Sequence, residues 1–183
     1  MLVPVILAAG VGLARSPLGS RLPGPDSSAR VYSGREHRVA VPLPRIEATV
    51  EMDGTTTAPP WRQAAVLTGF SEYTPVDGAP AEDSTQVLVW YSPSAIYFGI
   101  RAYEAHGGVH AALSNRDNID ADDNVQIILS PFIHGQQALV FAVNAFGIQE
   151  DGTITEGATA SASFGVVTKT GRPPTDLHPD FVY

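Results

Sequence analysis

The stretch Ser114–Asp151, SNRDNIDADDNVQIILSPFIHGQQALVFAVNAFGIQED, alternates polar turns with two apolar runs too short to stand as helices. In Asn124–Ser130 the residues Val125, Ile127 and Leu129 alternate with Asn124, Gln126 and Ser130, the period of two of a half-buried strand, and only Ile128 breaks it. Ala138–Val143 is bounded by Gly135 on one side and by Asn144 and Gly147 on the other, and reads as a deeply buried strand paired with the first. The whole stretch is a sheet hairpin with acidic turns.

The same signals recur along the chain. Gln86–Tyr91 and Ala95–Ala102 are β-branched and aromatic, and Ser92-Pro93-Ser94 between them is a tight turn, which predicts an antiparallel hairpin. Upstream, Arg45–Gly54 sets Ile46, Ala48, Val50 and Met52 on one face against Glu47, Thr49 and Glu51, and ends in the turn signal Asp53-Gly54. The folded domain is expected to begin at Arg45. Pro59-Pro60 then opens a segment whose Trp61, Ala64 and Ala65 have helical spacing, predicting one helical turn with Trp61 facing inward. Thr68–Ser84 reads as an exposed loop and Ser161–Thr170 as a further strand. The Pro-rich end, Gly171–Tyr183, shows no closing element, so the last strands are expected to be missing.

Short strands at regular intervals, without a long amphipathic helix or βαβ alternation, predict an all-β fold: an antiparallel β-sandwich of the immunoglobulin or jelly-roll kind. The 17 glycines and 15 prolines suit a turn-rich fold, and 44% hydrophobic residues suffice for a core.

Leu2–Ala14 is an apolar run closing on the small residues Gly12 and Ala14, and reads as a signal peptide, with a buried strand or helix as the alternative. No Lys or Arg precedes it, as in a signal truncated at its start. A membrane span needs ~20 apolar residues, more than this run offers. Arg15–Pro44, with five prolines and no sustained period, reads as a linker. A net charge of -8 argues against nucleic-acid binding, which needs clustered Lys and Arg. The absence of Cys removes disulfides and thiol chemistry.

Taken together, several segments resemble the family 9 carbohydrate-binding modules, which are β-sandwiches. The matching residues are Ile46, Val50 and Met52-Asp53-Gly54; Trp61 and Ala64; Thr85–Tyr91 and Ala95–Ile100; Arg116-Asp117 with Asp123–Leu129; and Phe141–Asn144 with Gly147. The variant with Arg-Asp before the acidic turn is most similar to the exported N-terminal domain of large bacterial outer-membrane proteins, where the module precedes a predicted β-barrel. The resemblance implies a non-catalytic module of an exported protein, in the periplasm, at the outer membrane or outside the cell, binding a polysaccharide or oligosaccharide. It also implies a covalent continuation into a barrel. Gln126 stands where the family has a Glu that bonds sugar hydroxyls, and Asn144 keeps the family's Asn, whereas Asp120 replaces a stacking Trp and Ala142 an Arg. A sandwich that has lost the sugar and serves as a structural or docking domain is the alternative.

On this reading Gln126, Asn144 and Trp90 are the candidate carbohydrate-binding residues, Trp90 being either a stacking platform or part of a second core face. Trp61 is expected in the core. Asp117, Asp120, Asp122 and Asp123 supply the carboxylate density that calcium requires, although they fail the EF-hand register; the alternative is a turn whose Asp side chains bind backbone N–H groups, with Arg116 pairing one of them. His106 and His110 have metal-ligand spacing, but Gly107-Gly108 between them favours a loop. Glu150-Asp151 could supply a glycosidase's carboxylates, although adjacent acids in a turn are usually solvated. No local signature of a hydrolase, phosphate-binding or dinucleotide-binding enzyme occurs.

Overall fold

The β-branched and aromatic runs that predict the first hairpin form it. Strands β4 (Thr85–Tyr91) and β5 (Ile96–Ala102) pair antiparallel, with Trp90 opposite Tyr97. At the turn, the Ser92 amide donates to the Ala95 carbonyl at 2.8 Å, and the Ser92 hydroxyl accepts from the amides of Ser94 and Ala95. The computed structural model describes residues 5–9, 30–36, 40–72, 76, 78–105, 107–131, 137–155 and 177. The architecture is all-β, as expected, in two sheets, and the chain divides into two units at Gly107/Gly108.

The first unit holds a five-stranded sheet in the order β1-β5-β4-β3-β2, where β1 is Val5–Ala9, β2 Val31–Ser33 and β3 Ala65–Thr68. The expected purely antiparallel pairing is corrected at both margins: β1 runs parallel to β5, and β2 parallel to β3. Pro59–Gln63 makes a 3-10 turn that carries Trp61 inward, as Pro in a first turn favours. The chain then becomes extended at Ala64, and Ala65 onward is a strand rather than more helix.

Ile46, Ala48 and Val50 are part-buried between exposed Glu47, Thr49 and Glu51, so the alternation holds, while Met52 is exposed. The segment joins the sheet through Arg45 beside Tyr91 rather than as a full ladder strand. Its apolar side packs on the core formed by Trp61, Ala64, Val66, Leu88, Trp90, Ala95 and Tyr97. Gly99 is needed there: a Cβ at this position would lie 2.9 Å from Trp61 Cζ3 and 2.7 Å from Thr56 Cγ2.

The second unit holds a three-stranded antiparallel sheet in the order β6-β7-β8, with β6 at Asn124–Leu129, β7 at Gln137–Asn144 and β8 at Gln149–Thr155. Central β7 buries Val140, Phe141, Ala142 and Val143 in succession, matching the expected deeply buried strand. On β6, Ile127 is buried and Ile128 is exposed beside Gln126, so the residue that broke the sequence period follows it in space.

The expected strand Ser161–Thr170 lies outside the described residues, as do His106, most of the expected linker and, apart from Leu177, the Pro-rich end.

Candidate functional site

The polar residues singled out in the sequence gather around the turn Arg116–Asp123 and the start of β8. Asn144 ends β7 and is 2% exposed. Its amide nitrogen donates to the Ala112 carbonyl at 3.0 Å and to Asp122 Oδ2 at 2.8 Å, while its Oδ1 accepts from the amides of Phe146 and Ile148, each at 2.9 Å. A primary amide offers two donor hydrogens and two lone pairs, and all four are engaged. Asn144 therefore ties the loop before the acidic turn to the β7–β8 connection and has no valence left for a sugar. That corrects its expected role.

Trp90 is corrected as well. It is fully buried, stacked on Tyr97 at 3.9 Å between ring centroids, and meets Trp61 edge-on at 5.9 Å. Of its two expected roles the structure gives the core one, since a platform must present a ring face to solvent. Gln126 differs from both: it is exposed on β6, across from buried Ala142 on β7.

The acidic turn takes its shape from bonds to the main chain. Asp117 adopts φ 61, a conformation Asp tolerates better than most residues. Its amide donates to the Gln149 carbonyl at 3.0 Å and its Oδ1 accepts from the Asp151 amide at 3.3 Å. Asp123 Oδ2 accepts from the His110 amide at 2.7 Å, and the Asp123 amide donates back to the His110 carbonyl at 2.7 Å. Asp120 is exposed and Ile119, 1% exposed, plugs the turn inward.

Among the described residues, no three or more His, Asp or Glu side chains come together as a metal site. Asp117, Asp122 and Asp123 each already bond a protein group through one carboxylate oxygen.

Arg116 pairs chiefly with a carboxylate the sequence reading did not connect to it. Its Nη2 bonds Asp151 Oδ1, its Nη1 donates to Gln149 Oε1 at 2.7 Å, and its Nε lies 4.0 Å from Asp117. Asp151 is completely buried and Glu150 is 4% exposed, so the expected solvated acidic turn is in fact the opening of β8. Burial is the main cause that holds the Glu150 carboxyl above its ordinary range, reinforced by Asp120, Asp117 and Asp151 and opposed by the Ile119 amide that donates to it. Because successive strand residues project to opposite faces, Glu150 and Asp151 do not flank one bond as a glycosidase's carboxylates do.

No protein-family model matches the chain, and neither does any curated protein or solved structure.

Proposed function

We propose that this chain is a non-catalytic, all-β domain of an exported cell-envelope protein, acting as a structural or docking module rather than as a reader of sugars. The observation that carries this reading is Asn144, whose buried amide has its full hydrogen-bonding capacity engaged within the protein. The burial of Trp90 and the presence of Ala142 and Asp120 where a sugar-binding relative would have Arg and Trp support it. Export rests on the apolar run Leu2–Ala14, and attachment to a larger envelope protein rests on the resemblance to modules that precede barrels.

Affinity electrophoresis of the full chain in gels containing plant or bacterial glycans tests the reading. Unretarded migration in every glycan is the expected result. Retardation that Gln126→Ala abolishes would return the chain to carbohydrate binding, through the one candidate side chain that is exposed. Export is tested separately by sequencing the N-terminus of protein recovered from the periplasm: a start just after Ala14 shows a cleaved signal peptide, and retention of Val5–Ala9 shows that the run stays in the fold as β1.

A further inference from the structure

We propose that the outer edge of β5 is a strand-acceptor site, filled by the chain's own Val5–Ala9 before cleavage and by an uncharged, extended segment of a partner polypeptide once Leu2–Ala14 has been removed. The inference rests on the export reading above. The run that reads as a signal peptide contains β1, and β1 lies along β5 in parallel register, from Val5 beside Ile96 to Ala9 beside Ile100. Among the described residues β1 pairs with β5 alone, so it stands at the margin of the sheet. Its departure breaks that ladder and leaves β5 joined to β4 through seven register pairs. Trp61, Val66, Leu88, Trp90 and Tyr97, which form the core with Ala64 and Ala95, all lie downstream of the cut.

A vacated β5 is poorly defended. Ile96–Ile100 carries neither charge nor proline, the devices by which sheet margins avoid pairing, and Arg101 stands one position beyond the ladder with its guanidinium bonded to Thr56 Oγ1. Alternate residues of a strand turn their backbone groups to opposite sides, so loss of β1 strips the partners from one set, beside buried Tyr97, Phe98 and Ile100. Backbone groups left unpaired at such an edge cost free energy, which an incoming main chain recovers. Binding by strand addition takes its affinity from those bonds. The occupant is defined by the one already seated: five uncharged apolar residues running parallel to β5. A second copy pairing β5 with β5 about a two-fold axis would run antiparallel, so the seated strand points to a different polypeptide.

The test is amide hydrogen exchange on the uncleaved chain and on the mature chain beginning at Arg15, the latter with and without a lysine-flanked peptide carrying Pro4–Gly10. Alternate amides within Ile96–Ile100, those facing β1, should exchange at least about tenfold faster in the mature chain, while the β5 amides bonded to β4 keep their rates. Saturating peptide should restore the slow exchange. A peptide with Leu7→Pro and Ala8→Pro, which lacks a donor in either phase of the ladder, should not. Equal rates in the two chains, or no restoration by the unmodified peptide, overturns the acceptor site and leaves export standing. Periplasmic protein that still carries Val5–Ala9 overturns it too, since the edge then never opens. Should the chain beginning at Arg15 fail to fold, the uncleaved chain carrying Leu7→Pro and Ala8→Pro takes its place: the same alternate amides should lose protection and regain it with the unmodified peptide, and failure of either overturns the proposal.

Discussion

The Asn144 amide nitrogen lies 2.8 Å from the Asp122 carboxylate, joining the end of β7 to the acidic turn 22 positions earlier in the chain. Truncation to Ala would leave the Phe146 and Ile148 amides and the Ala112 carbonyl without their partner. Each buried polar group left unsatisfied costs about 1–3 kcal/mol, with partial rescue by water. Asn144→Ala should therefore lose about 2–4 kcal/mol in urea unfolding at constant m-value. Asn144→Asp should be destabilising too, because it sets a second carboxylate against Asp122.

Trp61 and Trp90 are the only tryptophans and are 2% and 0% exposed. Intrinsic fluorescence should be blue-shifted and almost inaccessible to iodide, and no glycan should quench it. Trp90→Ala should cost about 3–5 kcal/mol, since it empties the space between Trp61 and Tyr97.

Where the fold was legible, two cues agreed. Residues Thr85–Ala102 combine β-branched and aromatic side chains with a Ser-Pro-Ser turn, and both strands form within one residue of their expected limits. Strand β8 shows the opposite case: Gln149-Glu150-Asp151-Gly152 has low strand propensity and reads as a solvated turn. What makes it a strand is pairing with apolar β7 on one side and bonding to Asp117 and Arg116 on the other. Asp117 and Arg116 lie 34 and 33 positions from their partners on β8, and no local pattern announces them. Asn144 and Trp90 turned out to face the interior for a related reason. Polarity singled out Asn144 and the Asp cluster, but polarity is silent on whether such groups face a ligand or one another. Ile119, the lone large apolar side chain among the acids, was the available sign that the turn is anchored inward.

Asp123 distinguishes a turn from an ion site. Asp123 and His110 exchange two bonds of 2.7 Å, one of them through the Asp123 carboxylate. Asp123→Ala should cost about 1–2 kcal/mol, in line with an exposed charge-assisted bond. That loss should be the same in calcium chloride and in EDTA. A thermal stabilisation by calcium that disappears in the variant would show instead that the carboxylate serves an ion.

Gly99 offers the sharpest packing test in the first unit. It lies on β5 opposite Leu88, where Trp61 packs against the strand. An added methyl would stand 2.9 Å from one ring carbon of Trp61 and 3.3 Å from another, with Thr56 Cγ2 at 2.7 Å. Thr56 can rotate away, though it gives up its bond from Arg101 in doing so. Trp61 is held edge-on against Trp90 and has no comparable escape. Gly99→Ala should therefore lose about 1–3 kcal/mol despite gaining strand propensity. Thr56→Ser removes the nearer obstacle while keeping the hydroxyl, so in the double variant part of that loss should return. Full recovery would mean that Thr56, not the indole, sets the limit at this position, and no recovery would assign the whole clash to Trp61.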